Sequence, residues 1–533
     1  MGAPKLVLCV IDAMAPAQLE RAVAEGAAPV LGELMRRGRY VPDCAAAFPS
    51  VTPVCAAAIT TGAAQERHHI PAMNWYHRAE SRYVEYGSSF RASQRVGIAR
   101  QLTDTVYNMN RAHLAAQPLT VFESLDDAGV RTAGTTYLIY RGRHRHEPRR
   151  DSALTRLASS TLARHPVMGP RELFYADIFA SRRTGCRSTL GMPGVRDQHS
   201  GCVGAYMVQH DLCDFMLLSL PDNDWHSHKH GPEGQVQSLA LADLQLARVV
   251  DAAGGIDEFL AEYAVIAMAD HSQALVERTL DLQAALAELA VLGPSARAGG
   301  SGRRAAEEKA RIAVCPSQRA AMVYVLGESH AEKLRSDVVR RALALDGVEL
   351  VMWLQCDAQG VAIEGVIARP SVGELRFAPG GPVHDARGGQ WHLDGELAVL
   401  AARVRDGLLE APHYPDALAR VWPALLCPTS GDVLLSAAPG YEFLDWGGQA
   451  HVGGGSHGSL RAEDSLGALV MCGLADERAP SAHDGAPTSR APGQAPSRPS
   501  GEAPSHASGG APRQWSIRDV APLVRAHFGL AAE

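Results

Sequence analysis

Three short apolar runs along the chain are each followed closely by residues able to bind a metal. "LVLCVI" (Leu6 to Ile11) runs straight into Asp12, and "DFMLLSL" (Asp214 to Leu220) runs into "PDNDWHSHKHGPEG". "YAVIAM" (Tyr263 to Met268) leads to Asp270 and His271. Continuous apolar runs of this length, bounded by polar residues, predict strands buried on both faces, as in a parallel sheet. In open α/β sheets, ligands bind just beyond the carboxyl ends of such strands. A histidine-rich segment standing alone would read as a solvated turn. Carboxylates after three strands, two of them with histidine, read instead as a donor set of mixed nitrogen and oxygen, suited to zinc or manganese better than calcium.

The rest of the pattern extends this layout. "PLTVFESLDDAGV" predicts a helix and "RTAGTTYLIY" a strand, and "LALADLQLARVVDAA" carries helical apolar spacing within a helix over about 233 to 254. The catalytic core's first part is therefore read as residues 1–274. From 275 to 430, helices such as "HAEKLRSDVVRRALAL" alternate with short strands such as "AAMVYVLG" and "VELVMWLQ", with no cluster at the strand ends. This predicts an inserted α+β cap. The core resumes over 431–477, with "GDVLLSAAPGYEF" and "HVGGGSHGSLRAED". Residues 478–513 are rich in Ala, Pro, Ser and Gly without apolar periodicity, which predicts a disordered surface loop. Residues 514–533 close with "WSIRDVAPLVRAHFGL", an amphipathic helix introduced by a serine and suited to pack on the core. The fold class expected is α/β, a central, mostly parallel sheet flanked by helices.

Composition narrows the function. With 533 residues, 46% hydrophobic and 20% charged, the chain is globular and long enough for one large α/β domain with an insertion. A net charge of -7 offers no footprint for a nucleic acid polymer. The one basic stretch, "RGRHRHEPRR" (Arg141 to Arg150), reads as a solvated loop or as a rim attracting an anionic substrate. No run approaches the ~20 apolar residues of a membrane span, and no secretory signal is visible. The ten cysteines show no CxxC spacing, and Cys9 and Cys472 lie in apolar runs. A cytoplasmic location is expected. The oligomeric state is left open.

A metal site needs a nucleophile or an activated water to be an esterase. In "FPSVTPVCAAAITTG" the small apolar run after Thr52 predicts a helix ending at Gly62, with Pro53 at its first position. Thr52 would stand at the helix N-terminus, where backbone N–H groups and the macrodipole favour an anion. An ordinary N-cap threonine has the same sequence signature. Ser50 and Cys55 are competing nucleophiles.

The order Asp12, "FPSVT", "DWHSHKHGP", "ADHSQ", "GGSHGS" resembles the alkaline phosphatase superfamily, and within it the type I phosphodiesterase/nucleotide pyrophosphatase family. The resemblance spans roughly residues 4 to 76, 212 to 274 and 432 to 473, plus the terminal "SIRDVAP". It implies one metal held by Asp12, Thr52, Asp270 and His271, and another by Asp224, His228 and His457, with zinc expected and manganese an alternative. The D-x-x-x-H-x-x-G-P element selects Asp224 and His228, leaving His226 and His230 as neighbouring or surface residues. Asn74 lies where the family has an asparagine contacting a phosphate oxygen; a plain turn asparagine is the other reading.

The implied activity is hydrolysis of phosphodiester or pyrophosphate bonds in a small substrate, possibly a nucleotide, through a phosphothreonine on Thr52. The family often continues T-x-P-N, whereas this chain has Thr52, Pro53, Val54 and Cys55, which leaves the substrate subgroup open. A sulfatase pattern does not fit Thr52 and Ala56. A phosphomonoesterase or phosphonate hydrolase on the same site is the alternative, and a non-catalytic metal-binding or sensing homologue is the alternative of another class.

Overall fold

The computed structural model describes residues 3–150, 164–188, 191–294, 309–327, 331–357, 359–474 and 514–531. Its first strand, Lys5–Ile11, lies inside an eight-stranded sheet. Phe215–Leu220 runs parallel on one side and Tyr263–Met268 parallel on the other. The register pairs Ile11 with Leu220 and Val10 with Met268, so the three strands end nearly level. That level ending brings the three ligand-bearing segments to one edge.

Thr132–Gly134 and Glu172–Tyr175 extend the sheet in parallel beyond Phe215–Leu220. Leu466–Cys472 and then Arg39–Ala45 extend it in antiparallel fashion on the other side. Side chains such as Leu19, Leu31, Val203 and Leu246 cover one face. Val54, Ile59, Val121 and Val520 cover the other. Burial on both faces is why the central strands are apolar at every position rather than alternating. Of "RTAGTTYLIY", only Thr132–Gly134 is a strand. Further on, the chain leaves the sheet, and the N–H groups of Tyr140 and Arg141 both donate to Asn110 Oδ1.

The inserted segment builds a second sheet of nine strands. Here the reading of the sequence needs one correction. Val433–Ala437, assigned to the resumed core, lies in the second sheet, antiparallel to Ala320–Val325 and to Val348–Cys356. An apolar run such as "VLLSA" suits the middle of either sheet, and only pairing decides between them. Nor is the insert a detached cap. Ala313, Cys315, Met322 and Tyr324 share one hydrophobic core with Trp75, Tyr76 and Val84 of the first part. Arg420, buried on the Ala417–Leu426 helix, donates to Ala47 O, Leu460 O and Ser465 Oγ, fastening the insert to the core.

The terminal segment packs its Trp515, Ile517, Val520 and Val524 into the core shared with Val54 and Ile59. Ser516 caps the turn that opens it, and Val520–His527 is helical. Arg525 donates to Thr61 O and Leu119 O. Gly62 ends the Thr52–Thr61 helix in the left-handed region at φ 76°, and a Cβ there would stand 2.9 Å from Pro522 Cδ. The expected disordered loop at 478–513 lies outside the described residues. Cys186 and Cys202 form a disulfide, which no spacing signal indicated. No helix among the described residues is long and apolar enough to cross a membrane.

Candidate active site

Thr52 occupies the first turn of the Thr52–Thr61 helix, and its Oγ1 lies 3.2 Å from His271 Nε2. The two competing nucleophiles are otherwise engaged. Ser50 is fully buried, its hydroxyl donating to Ser459 O and accepting from the Gly458 N–H. Cys55 is buried inside the helix, and burial holds its thiol well above the ordinary range, which suppresses the thiolate.

Asp12, Asp270 and His271 form one donor cluster. His271 Nε2 stands 3.6 Å from Asp12 Oδ1 and 3.5 Å from Asp270 Oδ2. Asp270 Oδ1 is taken by the N–H groups of Ala13 and His271. Its Oδ2, like Asp12 Oδ1, is buried without a hydrogen-bond partner. Burial first, then the neighbouring Asp270 and Asp224 carboxylates, push the Asp12 carboxyl well above its usual range. Buried carboxylate oxygens that face one another unpaired are costly unless a cation joins them.

The second cluster is centred on Asp224, on the Asp222–His230 helix. His228 Nε2 lies 3.3 Å from Asp224 Oδ2, and His457 Nε2 lies 3.6 Å from Asp224 Oδ1. Four-residue spacing on a helix brings Asp224 and His228 to one face, as the motif required. The compact donor grouping at Asp224 is formed with His271 and His457, not His228, and the His271 ring stacks on His457 at 3.7 Å. His271 is better placed in the first cluster, because its Nε2 meets Thr52, Asp12 and Asp270 together. Burial opposes charge on Asp224, but His228 beside it holds the carboxyl well below its usual range. Burial, then His271, keeps His457 well below the usual imidazole range and so neutral, the form that ligates metals.

The three histidines share one device. His228 Nδ1 meets Gly455 O at 2.8 Å, His457 Nδ1 meets Ser50 O at 2.7 Å, and His271 Nδ1 meets Ser272 O at 3.1 Å. A carbonyl only accepts, so each Nδ1 carries a proton, and Nε2, which faces the carboxylates, is the atom left to give a lone pair to a metal. Such outer partners fix the tautomer of metal-binding histidines. The residues therefore fit two divalent cations.

Asn74 is fully buried, accepting from Ser317 Oγ at Oδ1 and donating through Nδ2 to Glu85. This ties it to the insert; one N–H of the amide is left for another partner. His226 and His230 face each other, their rings tilted by 35° with centroids 4.4 Å apart, and neither belongs to the two donor clusters. Two arginines of the basic stretch are spent internally. Arg141 binds Glu123 and the carbonyls of Ala115 and Pro118, and Arg143 binds Glu123 and Asp127.

Three site residues escaped the sequence reading. Gln273 donates to the backbone and carboxylate oxygens of Asp224. His451 stacks on His228 at 4.1 Å and bonds Glu442 through Nδ1 at 2.8 Å. Gln318, in the insert, has its Nε2 3.4 Å from His228 Nε2. Gln273 stood in the quoted "ADHSQ" and His451 in the quoted "HVGGGSHGSLRAED", neither assigned a role; nothing in the sequence pointed to Gln318.

A mostly parallel α/β sheet thus gathers carboxylates and Nδ1-anchored histidines at its strand ends around a helix-N-terminal threonine, an arrangement suited to a hydrolase that works with metal ions. Comparison narrows the class. The model of the type I phosphodiesterase/nucleotide pyrophosphatase family matches residues 6–460. The structure is similar to phosphonoacetate hydrolase from Sinorhizobium meliloti, solved with phosphonoformate, at 15% identity and TM-score 0.54, covering 99% of this chain and 96% of that one. It is also similar to murine ectonucleotide pyrophosphatase/phosphodiesterase 5, at 10% identity and TM-score 0.53, with the same coverage. An inactive threonine-to-alanine form of the murine protein with AMP matches at TM-score 0.52 and 9% identity. No curated protein matches the sequence. The chain belongs to the type I phosphodiesterase/nucleotide pyrophosphatase family and is a hydrolase of phosphoric ester bonds.

Proposed function

We propose that the protein cleaves phosphodiester or pyrophosphate bonds of a small substrate, with a nucleotide the favoured class, through a phosphothreonine on Thr52 at a two-metal site. One observation carries this reading: three histidines, each with Nδ1 anchored on a backbone carbonyl, turn their Nε2 atoms toward the carboxylates of Asp12, Asp270 and Asp224, and Asp12 Oδ1 and Asp270 Oδ2, the two without a hydrogen-bond partner, lie beside the histidine that meets Thr52 Oγ1. Asp12, Asp270, His271 and Thr52 would hold one ion, and Asp224, His228 and His457 the other. When bound, two divalent ions, zinc or manganese, supply Lewis acidity and neutralise negative charge on the phosphoryl group.

The chain's own residues do the rest. Thr52 Oγ1 attacks phosphorus and the ester oxygen leaves; water then cleaves the phosphothreonine and restores the hydroxyl. The helix N-terminus at Thr52 favours the anionic group as it forms. Asn74, with one N–H still available, is the candidate contact for a phosphate oxygen. In the basic stretch at 141–150, the visible candidate to meet the second charge of a monoester, Arg141, Arg143 and Arg145 are bound to Glu123, Asp127 and Glu147. That supports a diester over a monoester.

The test is turnover of p-nitrophenyl thymidine monophosphate and bis-p-nitrophenyl phosphate against p-nitrophenyl phosphate and phosphonoacetate, with zinc or manganese, in the wild type and Thr52→Ala. Diester preference, falling by roughly 10³-fold or more in the variant, is expected. Preference for the monoester or the phosphonate would replace the diesterase reading, and full activity in Thr52→Ala would remove Thr52 as nucleophile.

A further inference from the structure

The inserted sheet reaches the metal clusters at the turn joining Ile312–Ser317 to Ala320–Val325. Every residue of that turn is clamped. Ser317 Oγ donates to Asn74 Oδ1. The Phe443 N–H donates to Gln318 O, and the Arg319 N–H donates to His457 O, both at 2.9 Å. Gly458 lies so close that a Cβ on it would stand 2.9 Å from Ser317 O. Gln318 itself is held at φ 60°, a left-handed conformation unusual for a side chain of its kind. Strained backbone that its surroundings over-determine clusters at functional sites. Here it delivers a buried amide, 8% exposed, to His228.

The amide has an unfinished set of partners. Its Nε2 lies 3.4 Å from His228 Nε2, and its Oε1 is buried with no hydrogen-bond partner. With Nδ1 donating to Gly455 O, the neutral form of His228 that ligates a metal carries a lone pair at Nε2, which the amide N–H can use only while no ion does. Once that lone pair is given to a cation, the N–H loses its acceptor. A half-turn of the terminal torsion then puts the oxygen where the nitrogen stood. The spacing suits this. Two donors on one tetrahedral zinc, each at about 2.0–2.1 Å, stand about 3.3 Å apart. Asp224 Oδ2 is 3.3 Å from His228 Nε2, and the Gln318 amide is 3.4 Å from it.

We infer that Gln318 is the fourth protein donor to the ion at Asp224, His228 and His457, its Oε1 completing that site from the inserted domain. The inference rests on the two-metal reading above. It makes the insert part of the site, since the second ion is then held by both sheets' segments and its affinity depends on how the insert sits.

The experiment is zinc binding to the full-length protein by chelator competition, with the visible spectrum of the cobalt(II) form as a measure of coordination, for wild type, Gln318→Ala, Gln318→Glu and Asp224→Asn. Circular dichroism monitors folding. The wild type should bind two ions. Gln318→Ala should lose roughly tenfold or more in affinity at one site, the same site that Asp224→Asn weakens, with an altered cobalt spectrum and the other site unchanged. Gln318→Glu, which offers an anionic oxygen in the same place, should bind at least as tightly as wild type. Wild-type affinity and spectrum in Gln318→Ala would overturn the inference and leave the two-metal reading intact. Should that variant fail to fold, weaker binding by Gln318→Glu than by wild type would overturn it instead. Fewer than two ions on the wild type would overturn the two-metal reading, and this inference with it.

Discussion

Replacing Asp12 by asparagine should stabilise the metal-free protein while removing much of what metal adds. Asp12 and Asp270 bring carboxylate oxygens within 4.8 Å of one another and of a His271 nitrogen, and Asp12 Oδ1 and Asp270 Oδ2 have no hydrogen-bond partner. At an effective dielectric constant of about 20, two unit charges at that separation repel by roughly 3–4 kcal/mol. Where proton uptake relieves the repulsion, the folded protein carries the cost instead, about 1.4 kcal/mol per pKa unit. Asparagine keeps the shape and drops the charge. Allowing for partial relief by protonation and by water, the gain in EDTA should be about 1–3 kcal/mol.

The sign with pH follows. The folded-state pKa of Asp12 is raised, by burial and then by Asp270 and Asp224. Its contribution to stability is therefore present below the ordinary aspartate range and lost as pH rises toward the raised value. The advantage of Asp12→Asn in EDTA should then grow with pH. Metal reverses the order, since an ion at about 100 times its dissociation constant adds about 2.7 kcal/mol to the wild type, most of which the variant forgoes. The assay is urea unfolding of both proteins in EDTA and in excess zinc, each at a mildly acidic and a mildly basic pH. A variant less stable than the wild type in EDTA at both pH values would refute the idea that charge crowding burdens the metal-free site.

Other perturbations test the supports around the site. Arg420→Met should cost about 2–4 kcal/mol in urea unfolding, because Ala47 O, Pro415 O, Leu460 O and Ser465 Oγ lose their shared donor. Gly458→Ala should cost about 1–3 kcal/mol, since its φ is 118° and a Cβ would press on Ser317 O; a thermal melt equal to wild type would contradict this. Asp197 is pushed up to about 8, by burial and then by Asp222. Its contribution to stability should be lost as pH rises from the ordinary aspartate range to about 8, and Asp197→Asn should flatten that part of the stability–pH curve; an unchanged slope would show that Asp197 does not titrate there.

The sequence by itself determined the central strands, because a strand covered on both faces must be apolar throughout, and Leu6 to Ile11, Phe215 to Leu220 and Tyr263 to Met268 could be nothing else at that length. It also determined the donors carried on those strand ends, since Asp12, Asp270 and His271 follow their strands within three residues, and Asp224 and His228 share a face by helical spacing. The start of the Thr52 helix and its stop at Gly62 were equally local. What only the tertiary structure decided is non-local. Val433–Ala437 joined the second sheet because pairing partners more than 70 residues away claimed it. Ser50 and Cys55 dropped out as nucleophiles through their partners and burial. Gln318 and His451 reached the site by the approach of distant segments, which leaves no periodicity behind. The disulfide between Cys186 and Cys202 is of the same kind, a contact set by how a loop meets a helix. Local steric and burial rules write themselves into the chain as patterns; contacts between remote segments depend on register and packing, and a single sequence carries no mark of them.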